Sequence, residues 1–189
     1  MTTYMPSITI PQAVFLQPAA SIALPIALGS AVGYSTRQTK ETYMALRQPP
    51  LRPPPWIFGP VWTVLYGMMG YAAYRVANIG LSPFSSPDTI RTTRQSMTVY
   101  TIQLALNLAW MPLFFGARRP VAATADILAL VGVNGYLTYL WSSIDQVAAW
   151  CQVPYLAWLG FATYLCAGVG HLNGWDLSDK TVKKEGKQN

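Results

Sequence analysis

The sequence predicts an all-α integral membrane protein, a bundle of five transmembrane helices. Hydrophobic residues make up 52% of the 189 residues and charged residues only 11%, whereas soluble domains carry about 25% charged residues. Charge is absent from five stretches of at least 18 residues, which are 1–36, 53–74, 95–117, 127–144 and 146–175. Uncharged, mostly apolar stretches of this length are typical of helices that cross a bilayer.

The first element is a short N-terminal tail, residues 1–12, followed by a predicted span at about 13–34. This span contains Pro18 and Pro25, which a membrane helix tolerates when neighbouring helices satisfy the freed carbonyl groups. Gly29 and Gly33 form a small-residue pair that permits close helix contact. Glycine is also simply common in membrane helices, so both explanations of the pair stay open.

The second predicted span, at about 56–74, follows a segment that cannot be helical. Five prolines lie between Pro49 and Pro55, and proline both fixes φ and lacks the N–H that a helix needs. After Trp56 the chain is charge-free to Tyr74. Its aromatic residues Phe58, Trp62 and Tyr66 recur at helical spacing. We therefore expect a rigid extended loop that leads into a helix with an aromatic face.

Three further spans complete the predicted membrane domain, residues 13–175. They lie at about 97–115, 121–141 and 153–170, and the loops between spans are expected at 78–94, 116–120 and 142–152. A polar tail, residues 176–189, follows the last span.

The distribution of basic residues supports five spans. With that number, the first loop, the third loop and the C-terminal tail share one side and hold ten of the 13 lysines and arginines. Basic loops favour the cytoplasmic side, so we expect the C-terminus in the cytosol and the N-terminus across the membrane. The net charge of +6 then indicates contact with anionic lipid headgroups rather than with nucleic acid.

Polar and aromatic residues inside the predicted spans are the candidates for function. They fall on one face of each span at helical spacing: Gln103, Asn107, Trp110 and Phe114; Asp126, Leu130, Val133 and Asn134; Trp158, Phe161, Ala162 and Leu165. Together with the Phe58–Tyr66 face they can line an apolar cavity with few hydrogen-bonding groups, which is the usual composition of a small-molecule site.

Structural explanations of the same residues stay open beside the functional one. Amides between membrane helices often only cross-link them. Asp126 is expected either to pair with Arg118 or Arg119, or to stabilise the start of its own helix. Aromatic residues at helical spacing are also common in packed interfaces.

Several function classes lack support in the sequence. Cys151, Cys166 and His171 do not have metal-site spacing, and the cysteines suit the role of small hydrophobic residues. We find no phosphate-binding loop, dinucleotide fingerprint or nucleophile elbow. No catalytic residue is assigned and no cofactor is required, so the sequence favours a binding protein over an enzyme.

Three segments resemble the translocator protein family, also called the tryptophan-rich sensory protein or peripheral benzodiazepine receptor family. They are WIFGPVWTVLYGMMGY, QLALNLAWMPLFFGAR and PYLAWLGFATYL, and Asp126 follows Gly116 by ten residues. The resemblance covers about residues 15–173. It implies a five-helix membrane bundle, often dimeric, with a pocket that opens towards the loop between the first two helices. The ligands it implies are porphyrins and haem, sterols, and benzodiazepine- or isoquinoline-type drugs.

The resemblance also implies pocket positions, which coincide with the helix faces described above. These are Phe58, Trp62, Tyr66, Asn107, Trp110, Asp126, Trp158, Phe161, Ala162 and Leu165. From the basic first loop we expect Arg47 and Arg52 at the pocket mouth.

The chain departs from the family pattern at a few positions. Leu51 stands where the family commonly has tryptophan, and Cys166 where asparagine is usual. Ala167 and His171 replace the tyrosine and arginine of the sterol motif in animal members. Sterol recognition at the end of the last span is therefore not expected, and porphyrin binding is less affected.

The expected function is binding of tetrapyrroles or similar flat hydrophobic ligands, for transport, sequestration or stress sensing. One alternative, which the resemblance also implies, is an enzyme for oxidative porphyrin breakdown. Another is a scaffold in a membrane complex that needs no ligand. The expected location is the mitochondrial outer membrane, with the endoplasmic reticulum as the alternative.

Overall fold

A computed structural model describes residues 8–36 and 46–177, and it confirms the all-α class. The helices are α1 (Gln12–Leu16), α2 (Pro18–Ser35), α3 (Pro55–Gly80), α4 (Pro87–Met111), α5 (Pro120–Ser142) and α6 (Gln146–Leu172). A π-helical segment, Pro112–Gly116, continues α4. The described residues contain no strand.

Four of these helices are long and apolar enough to cross a membrane by length and composition, which supports an integral membrane protein. They are α2, α4 with its π-helical continuation, α5 and α6. The second predicted span, now α3, has 26 residues but is not among these four helices. It is rich in tryptophan, tyrosine, proline and glycine, which are less apolar than leucine, isoleucine and valine.

The predicted first span at 13–34 was wrong in one respect, because it consists of two helices. The backbone is extended at Gln17 (φ −101°, ψ 112°), between α1 and α2. Gln17 precedes Pro18, and proline disfavours the helical conformation of the residue before it. Pro25, in contrast, lies inside α2.

The predicted loops at 78–94 and 142–152 were too long. Helix α4 begins at Pro87, where the Ser86 side chain accepts a hydrogen bond from the Thr89 N–H (3.2 Å). Helix α6 begins at Gln146, where the Asp145 carboxylate accepts one from the Val147 N–H (3.2 Å). Both are strong helix-start signals, and they lie well before the apolar stretches that determined the predicted bounds.

Two glycines allow α2 and α3 to pack closely against each other. Helix α3 packs against α2, α4 and α6, and α5 packs against α4 and α6. A Cβ at Gly70 of α3 would overlap the Ser21 carbonyl oxygen of α2, and the Ser21 hydroxyl donates to the Gly70 carbonyl (2.7 Å). A Cβ at Gly29 would overlap the Tyr66 ring, whereas Gly33 has nothing within 4 Å. Close contact therefore explains Gly29 but not Gly33.

The connections divide the bundle into two ends. We call the end formed by residues 46–54, 117–119 and 173–177 the basic end. There the Asn173 side chain accepts from the Arg47 N–H (3.1 Å) and donates to the Arg47 carbonyl (2.9 Å). The opposite end contains residues 8–17, 81–86 and 143–145. Residues 37–45 of the predicted first loop, with the basic residues Arg37 and Lys40, and the lysines of the C-terminal tail lie outside the described residues.

Candidate ligand-binding site

Four aromatic side chains form what we call the aromatic wall, between α3 and α6 near the basic end. Trp62 of α3 meets Trp158 of α6 edge to face, with ring centroids 6.4 Å apart and planes at 88°. Phe58 and Phe161 each lie 5.7 Å from the Trp158 ring. All four side chains are half-buried, so the predicted aromatic faces of the two spans do meet.

A hydrogen-bonded bridge borders the aromatic wall on the side away from the basic end. The Tyr66 hydroxyl donates to Asn107 Oδ1 (2.5 Å), and Asn107 Nδ2 donates to the Tyr155 hydroxyl (2.6 Å). The bridge therefore joins α3, α4 and α6, which is the cross-linking role of an intramembrane amide. Since both polar atoms of Asn107 are engaged, a ligand has access only to its second N–H and its remaining lone pair.

Trp110 occupies the end of α4, three residues after Asn107. Its ring stacks on Phe114 of the π-helical segment, with centroids 5.3 Å apart and planes at 11°. Trp110 packs against the main core and also against the smaller cluster of Leu46, Phe114 and Cys166 at the basic end. It thus connects the interior of the bundle with the basic end.

Asp126 lies in the second turn of α5, half-buried. Among the described residues it forms no ion pair, so the expected pairing with Arg118 or Arg119 is not seen. It does not cap α5 either, because the N-cap position belongs to Arg119. Its Oδ2 atom is buried and has no hydrogen-bond partner in the described chain. Nearby on α5, the Thr124 hydroxyl lies 3.3 Å from the Cys166 sulfur of α6.

The remaining predicted pocket residues are Ala162 and Leu165 of α6. They follow Trp158 by one and two helical turns, and they point inward: Ala162 is half-buried against the main core and Leu165 is buried. Their placement extends the α6 face that begins with Trp158 towards the basic end.

Two polar atoms of the predicted pocket residues have no hydrogen-bond partner among the described residues, Trp158 Nε1 and Asp126 Oδ2. The Trp110 indole N–H is also buried without a hydrogen-bond partner in the described part of the chain. A buried donor or acceptor without a partner costs about 1–3 kcal/mol. A ligand with matching polar groups would recover part of that cost.

The loop before α3 lies over α6 at the basic end. The Tyr164 hydroxyl donates to the Pro50 carbonyl (2.9 Å), and a Cβ at Gly168 would come within 2.9 Å of Pro49. Arg47 is exposed and Arg52 half-buried on this loop. Leu51 is exposed and adopts a positive φ of 63°.

The end of α6, where the family resemblance places a sterol motif, is occupied by the protein's own side chains. Pro49 lies against Gly168, and a Cβ at Gly170 would come within 2.6 Å of the Trp175 ring. Neighbouring Ala167 is half-buried, and His171 is exposed.

Sequence reasoning missed Tyr155, which is fully buried, bonds Asn107 and contacts Trp62 (6.2 Å between ring centroids). Tyr155 lies three residues before Trp158, and this helical spacing indicates that both side chains are on the same face of the helix. It also missed Asn173, because nothing in the local sequence indicates a contact with residue 47. No group of three or more metal-ligating side chains occurs in the part of the chain that is described.

Comparison with known proteins covers nearly the whole chain. The model of the TspO/MBR family matches residues 21–172. The chain is 40% identical to the translocator protein homolog of Schizosaccharomyces pombe, over 79% of this chain and 88% of that protein. It is 38% identical to the translocator protein of Homo sapiens, over 84% and 92%. It is 36% identical to the tryptophan-rich protein TspO of Chlorobaculum tepidum, over 81% and 96%.

Proposed function

We propose that this chain, which belongs to the TspO/MBR family, binds a flat hydrophobic molecule against its aromatic wall. A tetrapyrrole, porphyrin or haem, is the first candidate, and a sterol or a similar flat molecule is the second. The role that fits such binding in a membrane is transport, sequestration or stress sensing. The observation that carries the proposal is the aromatic wall, whose four rings are only half-buried although they lie between packed helices.

The geometry of the rings favours a flat partner. Trp62 and Trp158 stand almost perpendicular to each other, so a planar ligand can lie face-on to one ring while its edge meets the other. Both arrangements are favourable for aromatic pairs, at about 0.5–1.5 kcal/mol beyond simple burial of area. An aliphatic chain of equal area would gain free energy from burial but not this additional aromatic contribution.

Polar groups around the wall suit the chemistry of a tetrapyrrole. Trp158 Nε1 offers a hydrogen-bond donor and Asp126 Oδ2 an acceptor, and neither has a partner within residues 8–36 and 46–177. At the basic end, Arg47 and Arg52 place positive charge on the loop that leads into α3. Propionate groups of a porphyrin would lie towards these arginines, with the macrocycle deeper in the bundle.

We also propose that α3 is the fifth transmembrane helix. Its 26 residues correspond to about 39 Å at 1.5 Å per residue, which exceeds the hydrocarbon thickness of about 30 Å. The helix is charge-free up to Arg75 and packs against three of the other long helices. In the proposed arrangement the protein lies in the mitochondrial outer membrane with its basic end facing the cytosol. Two copies pair into a homodimer.

Protease treatment of intact organelles tests this arrangement. A tag at the C-terminus should be removed, and a tag at the N-terminus should be protected. Protection of the C-terminal tag with cleavage of the N-terminal one would reverse the proposed orientation. If both tags are cleaved, or both are protected, the two termini lie on the same side of the membrane, which contradicts an odd number of spans.

Titration of purified protein with a porphyrin, followed by the shift of its absorption band, tests the site. Trp62→Ala and Trp158→Ala should each weaken binding by about 1–3 kcal/mol through lost aromatic burial, or roughly 5- to 150-fold in Kd. Trp150→Ala is the matched control, because Trp150 lies on the same helix as Trp158 but is 64% exposed near the opposite end.

Equal affinities for both wall variants and the wild type would refute the site. If the wall variants and Trp150→Ala weaken binding to the same extent, the porphyrin is bound by general hydrophobic contact. Chromatography of the porphyrin after illumination of the complex would separate binding from oxidative breakdown, since an unchanged tetrapyrrole supports a binder.

A further inference from the structure

A layer of buried amides lies beyond the tyrosine–asparagine bridge, towards the opposite end of the bundle. Gln103 of α4, Asn134 of α5 and Gln152 of α6 are each 0% exposed, and so is Met69 of α3. Three helices thus each contribute one fully buried amide in the interior of a membrane protein. Amides at such depth need partners inside the bundle, because lipid supplies none.

Hydrogen bonds and helix geometry place these amides at one depth. Gln103 lies four residues before Asn107, and Gln152 lies three residues before Tyr155. Since Asn107 and Tyr155 are bonded to each other and α4 and α6 run in the same direction, both glutamines lie about 4.5–6 Å beyond the bridge. Asn134 joins the same level, because its Nδ2 lies 3.5 Å from Gln103 Oε1. We call these three residues the amide layer.

The protein leaves much of the hydrogen-bonding capacity of this layer unused. Asn134 Nδ2 donates to the Leu130 carbonyl (2.9 Å), and Gln103 Nε2 reaches only the Met69 sulfur (3.6 Å), a weak acceptor. Among the residues that the structure describes, Asn134 Oδ1 and both polar atoms of Gln152 are buried without a partner. The hydroxyl of Tyr100, one turn from Gln103, likewise has no partner there.

We propose that the amide layer is an internal hydration site that holds ordered water within the membrane-spanning bundle. The layer supplies both donors and acceptors, as water does, and a buried water molecule makes about three hydrogen bonds. Three atoms of the layer have no partner among the described residues, and the Tyr100 hydroxyl one turn away is a fourth. This site is separate from the aromatic wall, because the bridge of Tyr66, Asn107 and Tyr155 lies between them.

Aromatic side chains close the other side of the hydration site. Tyr100 stacks on Trp141 (6.0 Å between centroids), and Phe15 packs edge-on against Tyr100 (5.6 Å). All three are almost fully buried. Water in the layer is therefore enclosed on both sides along the bundle, and it stabilises the contact among α4, α5 and α6 rather than forming a continuous path across the membrane.

Hydroxyl-radical labelling by microsecond X-ray radiolysis tests the proposal, with the full-length protein in lipid nanodiscs. The probe is water itself, because radiolysed water oxidises side chains within its reach. Met69 is the reporter, since a methionine with no exposed surface is oxidised only by internal water. We expect Met69 to be oxidised in the wild type, and the rate to fall about tenfold in Asn134→Leu/Gln152→Leu as the polar partners of the water are removed. Met97, buried elsewhere on α4, should keep its rate.

Absence of Met69 oxidation in the wild type would overturn the proposal without any variant. If the double variant does not fold, the melting temperature of the single variant Gln152→Leu distinguishes a hydrated layer from a dry one. Removing a hydrated glutamine lowers Tm because the water loses partners, whereas removing a glutamine from a dry layer raises Tm because an unpaired amide disappears. A raised Tm would therefore also refute the hydration site.

Discussion

Two groups of aromatic side chains, one in each half of the bundle, are buried to different degrees. In the half near the opposite end, Phe15, Tyr100 and Trp141 are exposed by only 1–2%. In the half near the basic end, the four rings of the aromatic wall are half-buried. Both halves are built from the same long helices, so composition does not explain the difference.

The connections between helices explain it. At the opposite end, the chain before α2 folds inward: Phe15 packs on Tyr100, and the Ile10 N–H donates to the Thr101 hydroxyl (3.1 Å). At the basic end, the proline-rich loop instead runs over α6, where Pro49 and Pro50 contact Gly168 and Tyr164. One connection inserts an aromatic side chain among the helices, whereas the other lies outside the aromatic wall.

The comparison shows why a ligand site is expected in one half only. A ligand gains binding energy from a ring whose surface is not already covered by the protein. Trp141 contributes its buried area to folding, whereas Trp158 retains area that a ligand can cover. Trp141 thus serves stability, whereas Trp158 is the tryptophan that the proposed site would use.

The largest expected effect compares these two tryptophans. Trp141→Ala should destabilise the protein by about 3–5 kcal/mol, as is usual for a fully buried ring. Trp158→Ala should cost less stability, about 1–2 kcal/mol, because half-buried area contributes less, and should instead lower ligand affinity. Denaturation of both variants in detergent measures the difference, and equal losses of stability would remove the distinction between the halves.

The contact between α2 and α3 provides the next test. Gly70→Ala should cost about 1–3 kcal/mol, because the new Cβ overlaps the Ser21 backbone and the helices must separate. Gly67→Ala, one turn earlier, is the control: its Cβ would meet only Ile26 at 3.9 Å. That change should be neutral, or stabilising by up to about 1 kcal/mol from helix propensity. Equal melting temperatures for the two variants would contradict this description of the crossing.

The ion pair at the opposite end is expected to contribute about 1–2 kcal/mol, between typical buried and exposed pairs. Arg75 donates two hydrogen bonds to the Asp145 carboxylate, Nε to Oδ2 (2.5 Å) and Nη2 to Oδ1 (3.1 Å). Asp145→Asn removes the charge but retains a good helix cap, so its cost reports mainly the pair. In Arg75→Gln the same change at Asp145 should have little further effect, and an additive double variant would show that the pair contributes nothing.

This ion pair also predicts a pH dependence. The hydrogen bonds from Arg75 lower the pKa of Asp145 below its usual value. A lowered carboxyl pKa means that the stabilisation is complete above the unfolded pKa of about 3.9 and is lost as the pH falls from there through the folded pKa. The Tm of the wild type should therefore fall towards that of Asp145→Asn in this acidic range, and a constant difference between them down to pH 2–3 would be inconsistent with the pair.

The smallest expected effect concerns the mouth of the proposed site. Arg52→Gln should weaken binding of a porphyrin with free carboxylates by at most about 1 kcal/mol, and by less at high salt, because solvent screens a charge at a wet entrance. The esterified porphyrin is the control and should bind both forms alike. If the ester binds the wild type as well as the acid does, the charge of Arg52 plays no part.

The sequence by itself determined the helical class, the aromatic faces and the presence of polar residues inside the bundle. These follow from local rules: the absence of charge over long stretches, and the helical spacing of Phe58, Trp62 and Tyr66 or of Trp158 and Phe161. The same rules placed helix starts too late, because apolar stretches mark where a membrane begins rather than where a helix begins. Ser86 and Asp145 were the local signals for those starts.

Only the tertiary structure decided which residues meet and which are left without partners. Asn107 binds Tyr66 and Tyr155, which lie 41 and 48 residues away along the chain, and no local pattern encodes such a contact. Whether an aromatic ring is covered depends on the side chains that neighbouring connections place beside it. Phe15 packs on Tyr100, which stacks on Trp141. No connection in the described chain inserts a comparable side chain beside Trp158. Burial and hydrogen bonding of a side chain depend on residues that are distant in the sequence but adjacent in the fold. The local sequence around a residue does not identify those partners.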